Sequence, residues 1–318
     1  MCGIVGYISN KKKDLTVPLN SIKHRGPDAS GQYSHFRNGA YVGLGHVRLS
    51  IIDLSAGANQ PFRISGSNCS IIFNGEIYNY KLLRCELELK GRVFYTNSDT
   101  EVLLSMYLEY GMEMLNRLSG IFAFCIFDEN IGSLFVARDQ LGIKPLYYSV
   151  SENSLFFASE IKALFSFPSV IRQIDPYSIT EFLLNGFVYE PHTGFENILK
   201  VLPGHYIEIN FSNNVLTTKN KCYWMPTVSS NTIYNEQLLF KSIEEQLISD
   251  VPVGLFFSGG VDSSIILGTL RDKIDAFVLK SSEGEYFESG MSSDYMYATK
   301  ISDLLNVNLN EIQIADNQ

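Results

Sequence analysis

Leu255-Phe256-Phe257-Ser258-Gly259-Gly260-Val261-Asp262-Ser263-Ser264 carries an apolar strand into two glycines, then hydroxyls and the start of a helix. The pattern alternates on either side of it. A helix is expected over 236–249, a strand over 253–257, a helix over 261–271, a strand over 276–279, a helix over 293–305 and a strand over 310–314. Strands separated by helices do not close as hairpins, so this order predicts an α/β doubly wound parallel sheet. Three strands are fewer than the five or six usual for such a sheet. The segment is therefore either an unusually small domain or the front part of a longer one. At the glycine turn, backbone N–H groups and the helix dipole favour an anion, and Ser258, Ser263 and Ser264 add donors without bulk. The spacing is not that of a Walker loop, so pyrophosphate is the better ligand than a cleaved γ-phosphate. The competing reading is a plain tight turn.

The preceding two hundred residues are strand-rich. A strand over 71–73, a hairpin of 121–127 with 134–137 across 128–132, and a second of 146–150 with 155–158 across 151–153 are expected. Helices over 80–90 and 100–110 stop at Gly91 and Gly111, and Ser98 with Glu101 has capping-box spacing. Pro226 and a Ser/Asn/Thr cluster within 222–235 break the pattern, giving domains over 1–222 and 235–318. A chain of 318 residues suits two domains, and 45% hydrophobic with 19% charged residues is a folded composition. The net charge of −9 (25 basic, 34 acidic residues) disfavours nucleic acid and anionic lipid as partners. No apolar run approaches the ~20 residues of a membrane span, and the start lacks a signal-peptide layout, so a cytoplasmic protein is expected. Five cysteines show neither metal-ligand spacing nor a disulfide framework.

Cys2 stands apart by position. Removal of Met1, which its small neighbour permits, makes Cys2 the first residue, with a thiol nucleophile and an α-amino base of pKa roughly 7.7–8.0 on one carbon. The bland alternative is a chance cysteine. Asn74-Gly75, after the 71–73 strand, offers a side-chain amide and an unobstructed backbone N–H to an oxyanion, with Gly75 admitting a substrate closely. Asn-Gly is equally a hairpin turn. Arg48 has the planar fork that grips a carboxylate, against a surface arginine. Asp99 could pair with an ammonium, but an acid in a helix's first turn is favoured by the dipole anyway.

These residues lie in motifs that resemble one family. Met1-Cys2-Gly3-Ile4-Val5-Gly6-Tyr7, His24-Arg25-Gly26-Pro27-Asp28 and Arg48-Leu49-Ser50-Ile51-Ile52-Asp53, followed by Phe73-Asn74-Gly75-Glu76-Ile77-Tyr78-Asn79 and Ser98-Asp99-Thr100-Glu101, resemble the class II glutamine amidotransferases. The match is tightest to the glutamine-hydrolysing asparagine synthetases. The resemblance implies an N-terminal-nucleophile α+β fold, a four-layer α/β/β/α sandwich with two antiparallel sheets between helices. It places the nucleophile on Cys2 and the oxyanion hole on Asn74 and Gly75. It places the glutamine carboxylate on Arg48 and the glutamine amino group on Asp99, with Glu76 and the Ile52 backbone lining the pocket.

The likeness continues through Arg138-Asp139-Gln140-Leu141-Gly142-Ile143-Lys144-Pro145, Ala158-Ser159-Glu160 and Leu202-Pro203-Gly204-His205, to which a structural role is assigned. His24 and His46 are likewise expected to be structural. The Ser258 turn resembles the pyrophosphate-loop ATP pyrophosphatases. Ser258, Gly259, Gly260, Asp262 and Ser263 are then expected to hold ATP, Asp262 to bind Mg²⁺, and Leu255 and Val278, near strand ends, to flank adenine. The family's second acidic glycine-rich motif does not occur by Gln318. The resemblance implies glutamine, aspartate and ATP as substrates, Mg²⁺ as cofactor, and asparagine, AMP and pyrophosphate as products; a homodimer is compatible with it. Rival readings are a related enzyme aminating another carboxylate or a sugar-linked acid, a glutaminase alone, and a non-enzymatic glutamine or nucleotide sensor. Glucosamine-phosphate synthase and phosphoribosyl amidotransferases share the opening motif but do not account for 258–264.

Overall fold

A computed structural model describes residues 1–151, 153–212, 215–227, 235–281 and 294–314. The chain forms two compact units, Met1–Val228 and Ser229–Gln318. Glu152 of the expected hairpin turn, residues 228–234 within the expected boundary, and Ser293 at the expected helix start lie outside the described residues.

The first unit holds two six-stranded sheets. One runs in the order Leu199–Lys200, Tyr147–Ser151, Ser154–Ala158, Gly3–Ser9, Ala40–Arg48, Ala29–Arg37, and its neighbours pair antiparallel. The other runs Val215–Cys222, His205–Ser212, Ser133–Arg138, Gly120–Asp128, Cys69–Ile77, Phe62–Arg63, also antiparallel. Strand side chains alternate between faces. Ile4, Ile8 and Leu44 of the first sheet therefore meet Ile72, Cys125 and Val136 of the second in one buried core. On the outer face of the first sheet, Val5, Tyr7 and Phe156 pack with Leu19 of helix Thr16–Ser21 and Leu164 of helix Ile161–Leu164. Helix Asp99–Tyr110 packs on Cys69–Ile77 from the far side of the second sheet. The result is the four-layer helix/sheet/sheet/helix order. Central strands such as Gly3–Ser9 and Ser133–Arg138 are buried throughout because both faces are covered.

Helix Asp99–Tyr110 starts where Ser98 Oγ accepts the Glu101 amide at 3.2 Å. Only half of the expected box closes. The Glu101 carboxylate turns away and accepts instead from the Tyr95 and Thr96 amides at 2.7–3.2 Å.

The turn after Ser133–Arg138 is fixed by two buried charges. The Asp139 carboxylate, in a residue 1% exposed, accepts backbone N–H groups of Phe122, Leu141, Ile143 and Lys144 at 2.8–3.2 Å. The Arg138 guanidinium donates to the Gly142, Lys144 and Val201 carbonyls at 2.6–2.8 Å and pairs with Glu190 at 3.2 Å. Gly142 supplies the left-handed φ of +67° that the turn needs.

In the second unit, strands Gly254–Phe256, Asp275–Ser281 and Leu309–Ile314 form the expected parallel sheet in that order. Helices Val261–Leu270 and Asp294–Leu305 close its core through Leu267 and Ala298, against Phe257, Ala276 and Val278. Helix Glu236–Glu245 precedes them and ends earlier than the expected 249.

Asp139→Ala leaves four amides without their acceptor and is expected to lower stability by about 3 kcal/mol, with Asp139→Asn losing less. Urea unfolding checks this, and a change below about 0.5 kcal/mol for the alanine variant contradicts the clamp.

Candidate active site

The site assembles where the two sheets meet at one end. Cys2 immediately precedes strand Gly3–Ser9. A Cβ on Gly3 would meet Val47 at 2.9 Å, so only glycine lets the chain run this close to its neighbour. Arg25 Nε donates to the Cys2 carbonyl at 2.9 Å, and Arg25 is itself held by Glu160 at 2.9 Å. Ser159 Oγ accepts the Ile4 amide at 3.0 Å. The thiol is thus fixed from three directions, with Cys2 Sγ accepting the Leu49 amide at 3.4 Å. Burial pushes the thiol pKa up, and burial pulls the Met1 amine down.

Asn74 and Gly75 lie inside strand Cys69–Ile77, paired with Ala123 and Phe122. The hairpin-turn reading of Asn-Gly is therefore overturned. The expected reason for Gly75 also changes, because a Cβ there would meet the Ile121 carbonyl at 2.2 Å: the neighbouring strand demands the glycine. Asn74 is 1% exposed, and neither Nδ2 nor Oδ1 of its amide has a hydrogen-bond partner. A buried, unpaired amide is costly. It is held in place by its neighbour: the Phe73 amide donates to Gln60 Oε1 at 2.6 Å, and the Phe73 carbonyl accepts from His46 Nε2 at 3.1 Å. Burial holds His46 neutral, down to about 3. Its expected structural role is the one it has.

One cavity of about 60 Å³ is lined by Cys2, Arg48, Ile52, Asn74, Gly75, Glu76 and Asp99, with Met1 also in its wall. All seven residues expected at the glutamine site converge there. Asp99 accepts the Ile77 amide at 3.1 Å; burial, with Glu76 adding, pushes its carboxyl up to about 7. Burial also raises Glu76. Arg48 differs from expectation in one respect. Its fork is already engaged, Nη1 by the Ser55 carbonyl and Asn59 Oδ1 at 2.8 Å and Nη2 by the Ile52 and Asp53 carbonyls. It therefore shapes the 49–59 loop before it meets any ligand. Asp53, in a left-handed conformation with φ +53°, ties that loop to Asn97 beside Asp99 through a 2.7 Å bond. Sequence reasoning missed Gln60, Thr100 and Lys144, which also line the cavity. Lys144 was placed in a structural motif, and the turn set by Arg138 and Asp139 is what delivers it here.

In the second unit, Gly259 takes φ +72°, and a Cβ there would meet the backbone of Tyr297 and Ala298 at 2.5 Å. Ser258 Oγ accepts the Gly260 amide at 3.3 Å and lies 3.2 Å from Ser263 Oγ. Helix Val261–Leu270 begins at Gly260 with no side-chain cap, and Asp262 stands in its exposed first turn. Leu255 packs against the core from the short first strand. Val278 is 3% exposed in the middle of Asp275–Ser281, not near a strand end.

A family model described as a glutamine amidotransferase domain matches residues 1–224. The chain belongs to the glutamine amidotransferase domain family. Residues 235–318 match a second family model, asparagine synthase. The amidotransferase chain is 39% identical over 284 residues to asparagine synthetase [glutamine-hydrolyzing] 1 of Bacillus subtilis (strain 168), covering 86% of this chain and 44% of that protein. It is 32% identical over 321 residues to a putative asparagine synthetase [glutamine-hydrolyzing] 2 of Methanocaldococcus jannaschii, covering 91% and 61%. The chain spans about half the length of the curated relatives it matches. Its fold is similar to that of glutamine phosphoribosylpyrophosphate amidotransferase from B. subtilis, with TM-score 0.51 at 16% identity, covering 99% of this chain and 91% of that one. Among the described residues, no helix is long and apolar enough to cross a membrane.

The raised Asp99 pKa has a signed consequence. Its folded value, about 7, exceeds the unfolded 3.8, so its stabilisation is full below about 4 and lost as pH rises through 7. Asp99→Asn, neutral at every pH, is expected to gain stability relative to the parent from about pH 4 to pH 7 and to hold that gain above. Thermal melts of both proteins across this range check it; a difference that does not vary with pH contradicts the assignment.

Proposed function

We propose that the first unit hydrolyses glutamine to glutamate and ammonia at Cys2. The observation that carries this reading is the buried, unpartnered Asn74 amide in the same cavity as the Cys2 thiol. Departure of Met1 frees the Cys2 α-amine as base and enlarges the cavity. The amine takes the thiol proton, the thiolate adds to the side-chain amide carbon, and the oxyanion is met by the Asn74 amide and the Gly75 N–H. The C–N bond then breaks as the amine's proton passes to the leaving ammonia. Water cleaves the thioester to glutamate and restores the thiol. Asp99 and Glu76 receive the substrate ammonium. A cation there repays the cost of ionising a buried carboxyl, so glutamine binding is expected to draw the Asp99 pKa down. Arg48 is assigned to the carboxylate end, and the Ile52 backbone helps to line the pocket.

We assign residues 1–222 to this glutaminase domain and 235–318 to the front of a synthetase domain that uses ATP. Ser258, Gly259, Gly260 and Ser263 offer the phosphates a helix N-terminus and hydroxyls. Leu255 is assigned to the adenine side, while the buried Val278 belongs to the core it packs on. Among the described residues, no cluster of three His, Cys, Asp or Glu could hold a metal. Asp262 supplies one exposed carboxylate, a donor set that suits Mg²⁺ arriving with nucleotide phosphates. Bound there, the ion neutralises phosphate charge. The assigned overall reaction converts aspartate and ATP to a β-aspartyl adenylate and pyrophosphate, after which ammonia displaces AMP to give asparagine. The asparagine synthase match over 235–318 supports this reading. A cytoplasmic homodimer is the state assigned with it.

Cys2→Ala is expected to abolish glutamate release from glutamine, and Asn74→Ala to lower kcat about 10²–10³-fold with a much smaller change in KM. Coupled glutamate detection checks both; hydrolysis surviving in the Cys2 variant removes the nucleophile. In the longer gene product, Asp262→Ala is expected to stop aspartate-dependent pyrophosphate release while glutaminase activity persists. Simultaneous loss of both activities contradicts separate sites.

A further inference from the structure

Lys144 reaches the cavity with a buried side chain, the whole residue being 8% exposed. The turn that delivers it is held by buried charges, with the Lys144 amide on Asp139 at 2.9 Å and its carbonyl on Arg138 at 2.8 Å. The other cations near the thiol are committed: Arg25 to Glu160, and Arg48 to the 49–59 loop. The Lys144 ammonium forms no ion pair within 4.0 Å among the described residues. Burial pulls the Lys144 ammonium below the usual lysine range, while the charges of Glu76, Cys2 and Asp139 favour its protonated form and Arg25 opposes it.

We propose that Lys144 is a positioning residue of the glutaminase pocket, its ammonium holding the Cys2 thiolate and the Glu76 carboxylate in the arrangement that attack requires. The proposal rests on the reading of Cys2 as nucleophile. In the attack, the thiol proton passes to the α-amine and Lys144 keeps all three of its own, acting by charge alone. The charged groups acting on the thiol are the terminal amine, Arg48, Asp99 and Lys144, with Glu76 in the same cavity wall and Arg25 on the Cys2 carbonyl. Burial opposes thiolate formation most strongly, and the Asp99 carboxylate adds to it. A cation not already spent on another partner is what this balance needs. Glu76 and Lys144 act on each other in the same sense, each favouring the charged form of its neighbour.

The test is the pH dependence of iodoacetamide alkylation at Cys2, read by peptide mass spectrometry on the full chain with Met1 removed. Lys144→Gln is expected to raise the alkylation midpoint by about one pH unit, and Lys144→Arg to leave it within about 0.3. Glutaminase kcat at pH 7.5 is expected to fall about tenfold in the glutamine variant, with KM changed less than about threefold. Lys144→Met, apolar and similar in length, removes the same charge from a buried position and is expected to raise the midpoint likewise, which keeps the test decisive should Lys144→Gln fail to fold. Coincident midpoints in the parent and a folded Lys144→Gln or Lys144→Met protein overturn the proposal. Alkylation reads the thiol whether or not glutamine is the substrate. A shifted midpoint in a chain that hydrolyses no glutamine therefore supports the Lys144 role while removing the glutaminase reading.

Discussion

The hydrogen bond from His46 Nε2 to the Phe73 carbonyl joins the two sheets at the point where the chemistry is assembled. His46 belongs to strand Ala40–Arg48, which pairs with the strand that follows Cys2. Phe73 precedes Asn74 in strand Cys69–Ile77 of the opposite sheet. Apolar packing alone brings two sheets to about 10 Å without fixing their slide. One directional bond in a buried setting does fix it, because a charged imidazole is excluded there and the neutral ring must donate to the carbonyl. The placement of the thiol against the unpaired amide depends on this link.

The cavity concentrates charge that the fold holds at a cost. Asp99 and Glu76 both resist ionisation in the pocket, and the Asn74 amide forgoes hydrogen bonds. Each deficit matches a group of a glutamine-like ligand: an ammonium for the acids and a developing oxyanion for the amide. Other polar groups of the wall already hold protein partners, among them Arg48 and Gln60.

The sheet order of the second unit was legible because helix and strand periods alternate cleanly around Ser258-Gly259-Gly260. Cys2 was legible as a candidate nucleophile because its chemistry comes from its position in the chain. Asn74-Gly75 was ambiguous locally, since the dipeptide favours a turn; pairing with strand Gly120–Asp128, some fifty residues away, decided it. The four-layer order came from resemblance to a family, because hairpin signals do not say which sheets stack. Lys144 and Gln60 were not legible as site residues. Both reach the cavity through buried bonds, to Asp139 and to Phe73, that no spacing rule encodes. The engaged fork of Arg48 was equally invisible, because its acceptors are backbone carbonyls.

Under the proposed function, Cys2 and Asn74 form one acyl-transfer site shaped for glutamine. Its most direct test is treatment with an electrophilic diazoketone analogue of glutamine, followed by mass spectrometry of every cysteine peptide. One adduct is expected, on Cys2, formed in competition with glutamine and greatly slowed in Asn74→Ala. Labelling of the exposed Cys85 or Cys222 in place of Cys2, or labelling that glutamine does not compete with, would contradict it.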